Sequence, residues 1–245
     1  MNLFDFTLPS PAENLAGDEA LLDRCEDDGV DNVLRFWEPR EPFVVVGYGN
    51  HVATEVNVDA CAARGVPILR RCSGGGTVVQ MPGCLNYALV LRIEERGPLQ
   101  NISSANRFIM ERNRAAIASA LHPAGAGHSA LQVQGHTDLT LAGQKFSGNS
   151  QRRRRRFLLF HGVILLNANL ALISQLLPLP SAQPGYRAQR THAEFLTNLN
   201  LSTARVKAAL AQAWKATTTL TEVPRELITR LAETKYATRE WSFKF

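Results

Sequence analysis

The stretch RRCSGGGTVVQMPGCLNYALVL, residues 70–91, sets two arginines before a cysteine, a serine and three consecutive glycines, and returns at once to strand-like sequence. A glycine run forfeits side-chain packing and costs backbone entropy, so it marks a place where the main chain turns tightly or touches something. VPILRRCSGGGTVV reads as strand, glycine turn, strand. Amides freed of side-chain bulk approach an anion closely, and a neighbouring arginine adds a planar donor suited to carboxylate or phosphate. The alternative is a tight hairpin with incidental arginines. No GKS or GKT follows and no clear GxGxxG precedes a helix, so this is not a Walker loop.

Toward the N-terminus, ENLAGDEALLDRCEDDGV suits a helix from near Asn14 to about Gly29. NVLRFWEPREPFVVVGYG gives two β-rich runs broken by EPREP, either a hairpin or a pair of linked strands. VNVDACAARGVPILRR follows as a short helix, a glycine turn and a strand. Beyond the glycines, TVVQ and LNYALVLRI are strands around a Pro82-Gly83 turn. Residues 102–125 read as a helix capped by Ser103 or Ser104. DLTLAGQKFSGNSQRRRRRFLLFHGVILL is an antiparallel meander, with turns at Ala142-Gly143-Gln144 and near the arginine run. From Ala168 the pattern is mainly helical, with PLPSAQPGYR as a linker or surface loop. Strands grouped in the middle with helices around them predict an α+β fold, a mixed and largely antiparallel sheet flanked by helices.

Composition narrows the function classes. The chain has 245 residues and 45% hydrophobic content, enough to bury a sizeable core. Its start lacks a basic region followed by an apolar core, and no stretch reaches membrane-spanning length, so the expected location is the cytoplasm, with no membrane partner. Cys25, Cys61, Cys72 and Cys84 show neither CxxC pairing nor a histidine at metal-ligand spacing, and read as reduced thiols. Arg152 to Arg156 supply five positive charges, the whole of the formal net charge of +5. One run without interleaved aromatics, in an otherwise neutral chain, argues against nucleic acid and reads as a solvated hairpin tip.

RRCSGGGTVVQMPGCLNYALVL resembles the signature of the lipoate-protein ligase family, RRxSGGGxVxxxxGxLNYS, and GHTDLTLAGQKFSGNSQRRRRRFLLFHGVIL is similar to that family's Lys-x-Ser-Gly-x-x-Gln-Arg and HG segment. Weaker echoes reach both ends, in NLAGDEALL, LRFWEPREPFVVVGYGN, EVNVDACAARGVPILRR and KYATREWSF. The resemblance implies the biotin/lipoate ligase catalytic fold over residues 1–245 as one domain, without a C-terminal accessory domain, so that the protein needs a separate accessory subunit, activates lipoate poorly or only transfers acyl groups. It implies ATP, Mg2+ and lipoate or octanoate as substrates and cofactor, an acyl-adenylate intermediate, and transfer to a lysine. The acceptors it implies are lipoyl domains of 2-oxoacid dehydrogenase complexes or the glycine cleavage H protein.

By motif position, Lys145 is the catalytic cation, an ammonium beside carbonyl and phosphate oxygens. Arg70 faces the ligand and Arg71 the opposite side of the strand, since alternate residues do so. Ser73 and Gly74, Gly75 and Gly76 give contacts to the adenylate and the acyl carboxylate. Gly148, Asn86 and Asp138 complete the adenylate site, with Asp138 the natural Mg2+ ligand. His161 joins them or is a satisfied core histidine. Gln80 stands where the family often has histidine. Related octanoyltransferases form a thioester on a cysteine after the Lys145-type motif, and this chain has none beyond Cys84, which favours the adenylate route. The alternatives are an ATP-independent octanoyl or lipoyl transferase and a non-catalytic acyl-binding protein of the same fold. Lipoyl domains tend to be acidic, so the arginine run is also a candidate for steering one in.

Overall fold

The structure, a computed structural model, describes residues 1–29, 31–121 and 130–245. In chain order the elements are β1 (Asn2–Asp5), α1 (Pro11–Asp28), β2 (Val33–Trp37), β3 (Phe43–Val46), α2 (Val52–Glu55), α3 (Val58–Ala63), β4 (Ile68–Arg70), β5 (Val78–Gln80) and β6 (Cys84–Arg92). They continue with α4 (Ile102–Leu121), β7 (Leu131–Gln134), β8 (Asp138–Leu141), β9 (Gln144–Arg153), β10 (Phe157–Leu165) and α5 (Leu170–Leu176). The last are α6 (His192–Phe195), α7 (Thr203–Ala213), β11 (Thr218–Thr219), α8 (Arg225–Leu231) and α9 (Arg239–Ser242). The 122–125 end of the helix expected over 102–125 lies outside the described residues.

The described strands form an eight-stranded sheet, β11-β1-β2-β6-β10-β9-β8-β7, and a three-stranded sheet, β4-β3-β5. The α+β expectation holds. β1 pairs in parallel with β2 and β11, while each successive pair along β2-β6-β10-β9-β8-β7 is antiparallel. The meander β8-β9-β10 turns at Ala142-Gly143, as expected. β2 and β3 are linked strands in different sheets, not a hairpin. Nor do β4 and β5 form one: both flank β3, in parallel and antiparallel register, so the glycine segment crosses the end of β3.

That crossing explains the glycines. A Cβ at Gly47, just past β3, would overlap the Gly75 carbonyl oxygen, and Gly75 itself has φ +83°, so the two chains meet where neither tolerates a side chain. Gly74 and Gly76 face open space.

Alternation along the strands assigns each face of the large sheet. On β2, Leu34 and Phe36 pack with β10's Leu158 and Phe160 against α4 and α7. Val33 and Trp37 pack with Phe157 and Leu159 against α1 and the C-terminal helices. α1 begins at Pro11, three residues before the expected start, because Ser10 and Glu13 form a capping box. α4 is capped by Asn101, whose side chain accepts from Ser104 N at 2.9 Å, and not by Ser103 or Ser104. Among the described residues no helix is long and apolar enough to cross a membrane.

Candidate functional site

A cavity of about 740 Å³ opens between the sheets, within the usual range for small-molecule sites. Leu15, Trp37, Val45, Val78, Val163 and Ile173 give it apolar walls; Arg71, Lys145, Asp138, Ser150 and His161 give it a polar side. The proline-containing segment after α5 supplies a further wall through Pro178, Gln183, Arg187 and His192, so it is part of the site and not a linker.

Of the expected residues, Gly75, Gly76, Asn86, Asp138, Lys145, Gly148 and His161 line this cavity. Lys145 Nζ lies 2.8 Å from Asp138 Oδ1, and Asp138 Oδ2 accepts from the Tyr186 hydroxyl at 2.6 Å. β9 carries an irregularity where Leu139 pairs with Ser147 but Thr140 with Lys145, which inserts Phe146 and re-aims the lysine. A Cβ on Gly148 would sit 2.8 Å from that ammonium, so the glycine leaves the lysine its room. Burial, then the adjacent Asp138 carboxylate, pushes the Tyr186 phenol upward, keeping it a donor.

Asn86 and Gln80 exchange both amide hydrogen bonds, at 2.7 and 2.8 Å, which satisfies the glutamine standing where an imidazole was expected. Among the described residues no group of three His, Cys, Asp or Glu is placed to hold an ion, and both Asp138 oxygens are engaged.

The two arginines exchange the faces expected of them. Arg70 is fully buried away from the cavity: Nη1 donates to Gly47 O, Tyr48 O and Asn50 O at 2.8–2.9 Å, Nε to Trp241 O and Nη2 to Ser242 O. Alternation holds, but it says only that the two side chains diverge; packing of α9 on β4 decides which goes where. Arg71 turns into the cavity, donating to Gly74 O, to Gly76 O at 2.8 Å and to Ser73 Oγ at 3.1 Å. Burial pushes its guanidinium down to about 10. No carboxylate pairs with it among the described residues. Arg70→Met is therefore expected to destabilise the fold by about 3 kcal/mol, since several buried carbonyls lose their donor. Arg71→Lys should leave the melting temperature within a few degrees and lower turnover. Calorimetry with initial rates distinguishes the two.

Ser73 is buried, with Oγ 2.5 Å from His161 Nε2 and 2.8 Å from Ser150 Oγ. His161 Nδ1 lies 2.8 Å from Asp18 Oδ2, and Arg35 Nη1 holds Asp18 Oδ1 at 2.5 Å. Burial alone would raise the Asp18 carboxyl, but Arg35 and His161 override it and hold it below the ordinary carboxylate range. Asp18, Arg35, Ser150, Tyr186 and Arg71 were not among the expected site residues.

The arginine run is not a solvated tip along its length. Arg152 donates to Cys72 O at 2.9 Å, behind the glycine segment; Arg153 to Leu99 O; Arg154 pairs with Asp23 at 2.7 Å; Arg156 lies 3.9 Å from Glu26.

A family model described as the lipoyl protein ligase A/B catalytic domain matches residues 10–215. The octanoyltransferase LipM of Geobacillus kaustophilus is 25% identical, covering 96% of this chain and 94% of that protein. Lipoate-protein ligase A subunit 1 of Thermoplasma acidophilum is 25% identical, covering 94% and 90%. The crystal structure of a lipoate-protein ligase A bound with ATP superposes with a TM-score of 0.80 at 25% identity, covering 99% of this chain and 98% of that one.

Proposed function

The chain belongs to the lipoyl protein ligase A/B catalytic domain family, and from that premise we propose that it activates lipoate or octanoate with ATP and passes the acyl group to a lysine of a lipoyl domain. The observation that carries this reading is that one ammonium, Lys145, and one buried guanidinium, Arg71, line the same cavity as a set of apolar walls. A fatty acyl group suits the chamber, and a mixed anhydride with phosphate suits the two cations.

In the first step an oxygen of the acyl carboxylate attacks the α-phosphorus of ATP, and pyrophosphate leaves with the electrons of the broken P–O bond. Negative charge gathers on the phosphoryl oxygens, where Lys145 and Arg71 stabilise it. In the second step a lysine amine attacks the acyl carbon and AMP departs. Magnesium is not assigned to residues of this chain; in this reading it arrives with the nucleotide phosphates, and no step is routed through it.

A covalent thioester has less support. No cysteine is among the cavity-lining residues described, and burial pushes the thiols of Cys25, Cys72 and Cys84 up to about 12. A thiol held there is a poor nucleophile. The second reading, direct transfer from an acyl donor without ATP, is favoured by the octanoyltransferase relatives, which match the chain over nearly its full length.

The two separate in one assay. Purified protein with lipoate, ATP and Mg2+ should exchange labelled pyrophosphate and add one lipoyl mass to an apo lipoyl domain, if necessary after addition of an accessory subunit. Modification only from an acyl-carrier-protein thioester, without ATP, would establish the transferase instead. Inactivity with every donor would leave an acyl-binding protein.

A further inference from the structure

The polar side of the cavity carries a chain of four side chains that acyl activation does not use. Ser150 on β9 and His161 on β10 are direct cross-strand neighbours, and Ser73 is set against both by the glycine segment. Asp18 reaches the far imidazole nitrogen from α1. Asp18, Ser150 and His161 line the cavity, whereas Ser73 does not and is 1% exposed.

The direction of each hydrogen bond follows from the ends. The carboxylate of Asp18 only accepts, so with a neutral imidazole Nδ1 carries the hydrogen and Nε2 offers its lone pair. Ser73 must then donate to Nε2. Its oxygen already accepts from Arg71 Nε, and its remaining lone pair accepts from Ser150. The two serine hydroxyl bonds therefore point from the cavity toward His161, whose own N–H points on to Asp18.

We propose that Ser150, Ser73, His161 and Asp18 form a proton relay that deprotonates the acceptor lysine. The proposal rests on the acyl-transfer reading above and holds for either leaving group. A lysine, with an ordinary pKa of about 10.4, arrives as an ammonium and cannot attack a carbonyl. Its N–H bond breaks, the proton passes to Ser150 Oγ while the serine protons shift inward, and His161 Nε2 takes the last of them. The amine then forms the C–N bond, its second proton passes to water, and the bond from the acyl carbon to the leaving group breaks with its electron pair on that group. The imidazolium lies between the Asp18 carboxylate and the hydroxyl of Ser73. Charged groups around it are Asp18 on α1, Arg35 behind it on β2, Arg71 beside Ser73, and Arg152 of β9, whose guanidinium holds Cys72 O. Returning a proton to solvent resets the relay.

The test uses the full chain with preformed octanoyl-adenylate and two acceptors, an apo lipoyl domain and hydroxylamine, which is already unprotonated at neutral pH. In His161→Gln and Ser150→Ala, transfer to lysine should fall on the order of a hundredfold and about tenfold respectively, while transfer to hydroxylamine stays within a few-fold of wild type. Ser150 is only partly buried, so its alanine variant tests the relay even if His161→Gln does not fold. Parallel losses on both acceptors, or unchanged transfer to lysine, would overturn the relay while leaving acyl transfer intact. Wild-type protein inactive on both acceptors with adenylate and thioester donors alike would instead overturn the acyl-transfer reading, and the relay with it.

Discussion

Lys145→Gln is expected to lower the rate of acyl transfer by between about a hundredfold and a thousandfold, the range that accompanies loss of one positioned donor to a developing oxyanion. The substitution keeps a hydrogen-bond donor and removes the charge. Its partner, Asp138, retains the Tyr186 hydroxyl at 2.6 Å, and both members of the Lys145–Asp138 pair are partly open to solvent, so unfolding free energy should change by less than about 1 kcal/mol. The loss should appear in pyrophosphate exchange and in single-turnover transfer from preformed adenylate, since negative charge builds on oxygens in both. Lys145→Arg should not rescue it: a planar guanidinium does not fit the compact space above Gly148, where even a methyl group would lie 2.8 Å from the ammonium. Wild-type rates in Lys145→Gln would reduce the residue to the structural partner of Asp138.

The sequence made the fold class and much of the cavity legible, for reasons that can be traced to particular residues. LNYALVLRI and FLLFHGVILL are long apolar runs with β-rich composition, and they became the paired strands β6 and β10 at the centre of the sheet. The glycine segment was recognisable as a place where the main chain turns tightly or touches something, but its partner was not, because nothing local says that the chain before it, at Gly47, passes under Gly75. The face of Arg70 was misassigned for the same reason: it depends on α9, about 170 residues away, whose carbonyls it caps. The missed pair Asp18 and Arg35 did leave a signal. Asn14, Asp18, Leu21, Leu22 and Cys25 fall on one helical stripe, and Arg35 alternates with Val33 and Trp37, so an anion and a cation both occupy core positions. Two opposite charges at buried positions of neighbouring elements are a contact prediction, because neither is tolerated alone.

That pair gives the largest expected effect on stability. Arg35→Met is expected to cost about 3–5 kcal/mol at neutral pH, the range for removing one partner of a buried ion pair. Arg35 is fully buried; Nη1 reaches Asp18 Oδ1 at 2.5 Å and Asn14 O at 2.7 Å, and Nη2 reaches Asn14 Oδ1 at 2.9 Å. Methionine fills much of the same space, so the loss is electrostatic and not a cavity. With the guanidinium gone, burial becomes the dominant influence on Asp18, and its carboxyl moves up where in the wild type it is held low. The sign of the pH dependence follows. In the wild type the depressed carboxyl contributes stability above its unfolded pKa of about 3.9, and that contribution fades as pH falls through the folded value. In the variant the raised carboxyl is a penalty above about pH 3.9, relieved by protonation as pH falls, so the gap between the proteins should be widest near pH 7 and narrow toward pH 4. Urea unfolding of both proteins across that interval measures it directly. A gap that is constant with pH would mean that the charge of Asp18 is not what Arg35 supports. Because Asp18 also orients His161, the variant should lose transfer to lysine more than transfer to hydroxylamine even where it remains folded, which joins the stability of α1 on the sheet to the proton relay beneath the glycines.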